Sequence, residues 1–241
     1  MGCIQLTLSA NAGFALQLAD KRIWIDAAHS EKIPTMSTLS EEQWQAVLRH
    51  PSFTEPDLMF FTHCHGDHFS ADRAQQALAL WPRAVPALPE QQLAGQTLLT
   101  GNRLKVRAGS TEFLFLRLTH EGEEFTEVPH YGLLVDDGGY RILFTGDCEV
   151  ASPELERQLQ GLSVDLAVVD YPWVTLRKGR DYLQRVLRPR QIAVCHLPFA
   201  ADDLLGARQA ALKAVPQLPF AQVRLFLEPF QQETFTRPSQ P

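Results

Sequence analysis

The chain has 241 residues, of which 45% are hydrophobic and 21% charged, with a net charge of -6. That is ordinary globular composition in a chain long enough to bury a two-layer core, so low-complexity, collagen-like and disordered classes are excluded. The acidic balance disfavours nucleic acid or an anionic membrane as partner, and no apolar run approaches the ~18 residues that span a bilayer.

The first twenty residues lack the basic start and unbroken apolar stretch of a secretory signal. Leu6 stands where a myristoylation signal at Gly2 wants Ser or Thr, so a soluble cytoplasmic protein is expected. Three short strands are predicted over residues 4–8, 14–18 and 22–25, the first two joined by a turn at Asn11-Ala12-Gly13. Ser40 and Gln43 are spaced as a capping box, and Trp44, Val47 and Leu48 form the apolar stripe of the helix that follows. Residues 57–62 form a short apolar run of buried-strand type, leading into His63-Cys64-His65-Gly66-Asp67-His68. Ser70 can cap a helix to about residue 80. Strands are predicted over 103–107 and 112–118, and a hairpin joins 131–135 to 140–144 around Asp136-Asp137-Gly138-Gly139. Ser152-Pro153 opens a helix, cap before proline. Strands at 164–169, 191–195 and 223–227 alternate with helices near 181–187 and 202–215. No composition shift marks a boundary, so residues 1–241 are expected to form one domain. Strand-rich segments followed by mixed helix and strand suit two sheets with helices outside them.

The chemistry is concentrated at residues 63–68. Three imidazoles and a carboxylate at the end of an apolar strand are the usual donors for Zn²⁺ where no thiolate serves. Alternation in an extended segment sets His63 and His65 on one side, and Gly66 permits a tight turn that aims Asp67 and His68 at a second point. Further polar residues stand where apolar strands stop: His120 after 113–119, Asp147 after Thr145-Gly146, and His196 after 192–195. Together they supply the rest of a two-metal site. Cys3, Cys64, Cys148 and Cys195 form no C-x-x-C pair and read as small buried hydrophobes, three of them beside candidate ligands. His29 and His50 read as structural or surface residues.

In Thr62-His63-Cys64-His65-Gly66-Asp67-His68, Thr145-Gly146-Asp147 and Cys195-His196-Leu197-Pro198, the chain resembles the metallo-β-lactamase superfamily of hydrolases. The resemblance implies a four-layer αβ/βα sandwich of two mixed sheets with outer helices and the site at one edge. It implies that His63, His65 and a third His hold one metal, that Asp67, His68 and His196 hold the other, and that Asp147 bridges them. Asp26 would brace the His-rich loop. The third His is His120, which ends its strand, or His130, just before the next one. His120 is preferred, leaving His130 for substrate contact or proton donation.

The expected activity is hydrolysis of a small ester, lactone, thioester or phosphodiester by a hydroxide held between two divalent cations and oriented by Asp67. Zinc comes first among those cations, with manganese and iron as alternatives. The substrate is expected to be small and soluble, and able to carry an anionic group. Arg177, Lys178 and Arg180 are candidate supporting cations, with Tyr171 and Trp173 as a candidate apolar wall. Two alternatives stand beside this: a mononuclear iron oxidoreductase on the same fold, and a catalytically silent metal-binding protein. Oligomeric state is not legible.

Overall fold

The computed structural model describes residues 3–237; Gly2 and the side chain of Cys3 lie outside what is described. The chain opens with β1 (Cys3–Leu8), β2 (Phe14–Gln17) and β3 (Arg22–Ile25), then α1 (Glu41–Val47), β4 (Leu58–Phe60), α2 (Ala71–Leu80), β5 (Val85–Leu88) and β6 (Thr97–Leu98). It continues with β7 (Arg103–Ala108), β8 (Thr111–Arg117), β9 (Tyr131–Asp137), β10 (Tyr140–Phe144), α3 (Pro153–Gln158), β11 (Leu166–Asp170), α4 (Pro172–Thr175) and α5 (Arg177–Tyr182). β12 (Gln191–Cys195), α6 (Ala207–Ala214), β13 (Gln222–Leu225) and β14 (Gln232–Thr236) complete it.

Two seven-stranded mixed sheets result, ordered β14-β1-β2-β3-β4-β5-β6 and β13-β12-β11-β10-β9-β8-β7. In the first sheet β3 to β6 run parallel; in the second, β10 to β13 do. Three apolar layers hold the four structural layers together. Leu6, Phe14, Ile23 and Phe60 meet Phe115, Leu133, Ile142 and Val168 between the sheets. Trp24, Met59 and Phe61 face outward onto Trp44 of α1 and Ala74 and Ala77 of α2. On the far side Leu143, Val169 and Val194 pack against Leu155 of α3, Trp173 of α4 and Ala211 of α6. With both faces of each sheet covered, β4, β11 and β12 read as continuous apolar runs instead of alternating ones. This is the αβ/βα sandwich, α/β in class, that the motifs implied.

The predicted caps form as read. Ser40 accepts from the Gln43 N–H while Gln43 reaches back to the Ser40 N–H, and the hydroxyls of Ser70 and Ser152 cap α2 and α3. Four elements were not anticipated. β5 carries Pro86 and is flanked by Pro82 and Pro89, which reads as loop. β6 is two residues long, and β14 buries only Phe235. α4 is a single turn opened by Pro172. α6 starts five residues later than predicted, because Gly206 turns left-handed (φ 74°) and the Asp203 carboxylate accepts the Ala207 N–H at 2.7 Å. The helix expected over 181–187 begins at Arg177 and widens after Tyr182 before ending at left-handed Arg188. Among the described residues no helix is long and apolar enough to cross a membrane.

Candidate metal centre

β3, β4, β10 and β12 all finish at one end of the sandwich, and each hands its next residues to the same crevice. The β3–β4 pairing of Ile25 with Phe60 sets Asp26 beside Thr62. Asp26 Oδ1 accepts the Thr62 N–H and Oδ2 the Thr62 hydroxyl, both at 2.7 Å. Asp26 Oδ2 also accepts from His68 Nδ1 at 2.9 Å. Having given its proton to Asp26, the Thr62 oxygen accepts from His63 Nδ1 at 2.9 Å. One buried carboxylate thus places the Nδ1 protons of two histidines and turns both Nε2 atoms into the crevice, a standard arrangement behind ligating imidazoles. His120 reaches the same state alone, since its Nδ1 donates to the Glu121 carbonyl at 2.7 Å.

The free nitrogens converge. His63 Nε2 lies 3.0 Å from His65 Nδ1 and 3.3 Å from His120 Nε2. His68 Nε2 lies 3.2 Å from His196 Nε2, and both stand 3.7 Å from Asp67 Oδ2. Between the two groups sits Asp147, with Oδ1 3.2 Å from His68 Nε2 and Oδ2 3.4 Å from His196 Nε2 and 4.0 Å from His120 Nε2. The sets His63/His65/His120, His63/His68/Asp147 and Asp67/His68/His196 each have their ligand atoms within 4.8 Å of one another. Two donors held ~2.0–2.1 Å from one tetrahedral cation are separated by about 3.4 Å. The spacing and donor chemistry therefore fit two cations, with the Asp147 carboxylate within reach of both groups.

The electrostatics divide the crevice. Burial opposes charge on His68 and His196, but Asp147, with Asp26 for His68 and Asp67 for His196, holds both imidazoles well above their ordinary range. Asp147 resists its own burial through His196 and His68 and lies well below the usual carboxylate range. Asp67, likewise buried, is brought to about 2 by His196 and His68. His63 goes the other way, pushed well down by burial and by His68. Without metal, His68 and His196 form an imidazolium–carboxylate cluster with Asp67 and Asp147, whereas burial disfavours charge on His63 and His65.

His120 meets His63 and His65; His130 does not. His130 is completely buried, its ring centroid 5.4 Å from His63 and 5.6 Å from His120, and neither ring nitrogen has a partner among the described residues. Expected as a catalytic group, it has no exposed atom to offer a substrate, because it lies behind the other rings against Gly146. Burial lowers its pKa to about 3, keeping it neutral. Gly66 is needed for a contact not foreseen: a Cβ there would lie 1.9 Å from Glu31 Oε2.

The predicted wall and cations are mostly elsewhere. Trp173 is core, packed edge-on against Tyr182 at 5.5 Å. Arg180 donates to the carbonyls of Val174 and Thr175, and Arg177 is exposed beside Asp181. Lys178 alone approaches the site, 3.4 Å from Glu121 Oε1. The aromatic at the rim is instead Phe125, whose ring lies 5.1 Å from both His65 and His120. Asn11 and Asp170 were also missed. Asp170 ends β11 as Asp147 follows β10, and burial beside Asp147 pushes its carboxyl well up. Cys64, Cys148 and Cys195 are free thiols; burial pushes all three up, Cys64 to about 12, so they are poor thiolates. His50 stacks on Phe230, and His29 is fully buried.

Residues 21–200 match the model of the beta-lactamase superfamily domain. A comparison with curated proteins gives no match. Among solved structures, the chain is similar to Igni18, a metallo hydrolase from the hyperthermophilic archaeon Ignicoccus hospitalis, at 18% identity and TM-score 0.69, over 98% of this chain and 100% of that one. It is similar to an isothiocyanate hydrolase from Delia radicum gut bacteria at 15% identity and TM-score 0.64, over 98% and 99%. It is also similar to CmlA, a diiron beta-hydroxylase from Streptomyces venezuelae, at 15% identity and TM-score 0.64, over 96% of this chain but only 54% of that one. The chain spans about half the length of the CmlA chains it matches.

Proposed function

The chain belongs to the beta-lactamase superfamily, and on that premise we propose that it is a metal-dependent hydrolase of a small ester, lactone, thioester or phosphodiester, working with two divalent cations. The observation that carries the reading is the pair of ligand groups flanking Asp147 in one crevice. In this reading His63, His65 and His120 hold one cation, Asp67, His68 and His196 the other, and Asp147 lies between them. When bound, such cations supply Lewis acidity and lower the pKa of a water from 15.7 toward about 7.

The chain's own groups do the rest. Asp26 and Thr62 keep His63 and His68 in the tautomers that present Nε2. Asp67, held near pKa 2, stays a carboxylate and orients the attacking water by accepting its hydrogen bond, without storing its proton. No serine or cysteine nucleophile is required, and the high thiol pKa values argue against one. Phe125, about one-third exposed, offers an apolar face beside the His65 and His120 side of the crevice. Lys178 can attract an anionic group at the rim, although Glu121 partly neutralises it.

The test has two arms. Elemental analysis of protein made in metal-replete medium should find nearly two equivalents, zinc foremost. The loaded protein should turn over at least one of a panel of small esters, lactones, thioesters and phosphodiesters, and cleave RNA and DNA poorly even at low salt. Metal content near zero with all ligands intact, or nuclease activity without turnover of any small substrate, overturns the reading. Iron with oxygen consumption would instead favour the oxidoreductase alternative on this fold.

A further inference from the structure

Asn11 carries nothing in the reading above, yet it touches two residues of the centre, Asp67 and His196, through both backbone and side chain. It occupies the turn between β1 and β2 in the left-handed region (φ 54°) and is 1% exposed. The turn is closed by Ser9, whose N–H donates to the Gly13 carbonyl at 2.7 Å, and by the Gly13 N–H, which donates to the Ala10 carbonyl at 2.8 Å. Asparagine is among the few residues tolerated at positive φ, which accounts for its presence but not for where its side chain goes. The Asn11 carbonyl accepts the His196 N–H at 3.1 Å. Its amide Nδ2 lies 3.2 Å from the Asp67 carbonyl, 3.1 Å from Asp67 Oδ2 and 3.4 Å from His196 Nε2.

Asp67 Oδ2 is the oxygen that also faces His68 and His196. A carboxylate oxygen has two lone pairs in plane, so an amide donor on one directs the other. Asn11 therefore does two jobs from one residue. Its backbone anchors His196, which is itself left-handed (φ 55°), and its side chain orients Asp67. These two ligands come from different sheets, and Asn11 joins them, its carbonyl accepting from the His196 N–H and its amide donating to Asp67. The amide nitrogen is the atom turned inward, and Asn11 Oδ1 is left buried without a partner. A buried acceptor left unpaired is unfavourable, so the orientation is maintained by what Nδ2 gains.

We propose that Asn11 is a positioning residue that sets the affinity of the Asp67/His68/His196 group for its cation, leaving the His63/His65/His120 group unaffected. This rests on the two-cation reading. Neighbours behind metal ligands typically contribute 10–100-fold to affinity, and the same range is expected here for one cation of the two.

The experiment is a stepwise zinc titration of the metal-free full chain against a chromophoric chelator, which resolves two affinities, with Asn11→Gly and Asn11→Ser beside the wild type. Glycine keeps the left-handed turn and the carbonyl that anchors His196, so it removes the amide alone. Serine is the second variant: it limits the backbone freedom that glycine adds, at some left-handed strain, and its hydroxyl is too short to span both partners. The expected result is one affinity 10–100-fold weaker and the other within twofold of wild type, with the melting temperature of the metal-free form retained in at least one variant. Two unchanged affinities in a folded variant overturn the proposal while leaving the two-cation reading in place. Equal weakening of both affinities also overturns it, since Asn11 would then be supporting the fold as a whole. A wild type that binds no zinc removes the two-cation reading and the proposal together.

Discussion

Asp26→Asn is the sharpest perturbation available at this centre. The change is isosteric, so packing is untouched, and everything depends on three hydrogen bonds. The amide oxygen can still accept the Thr62 N–H. The amide nitrogen then stands at the Oδ2 position, facing the Thr62 hydroxyl at 2.7 Å and His68 Nδ1 at 2.9 Å. It can only donate. Thr62 must turn its proton toward His63, which shifts the His63 proton to Nε2, and His68 must move its own proton to Nε2. One ligand atom in each half of the crevice is then blocked. Rotating the amide does not help, because it sets nitrogen against the Thr62 N–H. Support from behind a ligand contributes 10–100-fold in affinity, or about 1.4–2.7 kcal/mol, and here each half loses one such support. Both zinc affinities should therefore fall by that factor. The metal-free protein should lose about 1.5–3 kcal/mol in denaturant unfolding, the worth of a hydrogen bond to a charged group. Asp20→Asn, at an exposed carboxylate, is the control. Asp26→Asn with both zinc affinities within twofold of wild type would refute the tautomer argument.

Three other outcomes follow from the same geometry. Gly146→Ala forces a side chain into left-handed backbone (φ 54°), with its Cβ 2.7 Å from His130 Nε2 and 2.8 Å from Thr62 Cγ2, and should cost about 2–5 kcal/mol of stability in denaturant unfolding; a change under 0.5 kcal/mol would contradict the packing. His120→Ala should abolish tight binding of one zinc, whereas His130→Ala should lower the melting temperature with two zinc retained; the opposite pattern would exchange their roles. His29 is held neutral at pKa about 3 by burial, with His68 and Arg73 reinforcing and Asp67 opposing. Because only the unfolded chain binds that proton between about pH 6.5 and 3, stability should fall with falling pH there by about 1.4 kcal/mol per unit from this residue, and His29→Gln should show a shallower slope than wild type.

How far these features were readable from sequence depends on the range of the contacts behind them. The caps at Ser40, Ser70 and Ser152 are three-residue events, and they form as the spacing predicts. The cluster at 63–68 was equally local, with its donor types and spacing present in one hexapeptide. β5 and β14 escaped for opposite reasons. β5 has prolines in and around it, and its pairing depends on β4 and on the short β6 beside it. β14 is a polar edge strand whose register is supplied entirely by β1, over two hundred residues away. Periodicity sees neither, because in each case the partner strand decides the conformation.

The centre shows the same division more finely. Asp147 and Asp170 carry one signature, an acid where a buried apolar strand ends, but only Asp147 stands between the two ligand groups. The strand register decides this: Asp170 lies opposite Cys195, one residue short of His196, so its carboxyl faces the Cys195 thiol at 3.7 Å. His120 and His130 are separated by a similar detail. The Leu118 N–H pairs with the His130 carbonyl, and two residues later His120 bridges to Cys148 beside Asp147. That pairing carries His120 out to the mouth and leaves His130 behind it. Asn11 looked like a turn former and is one, but the ligand side chains it meets lie 56 and 185 residues away. Residues that bind can be recognised by their own chemistry, whereas residues that aim them are ordinary in type and are distinguished only by what the folded chain sets beside them.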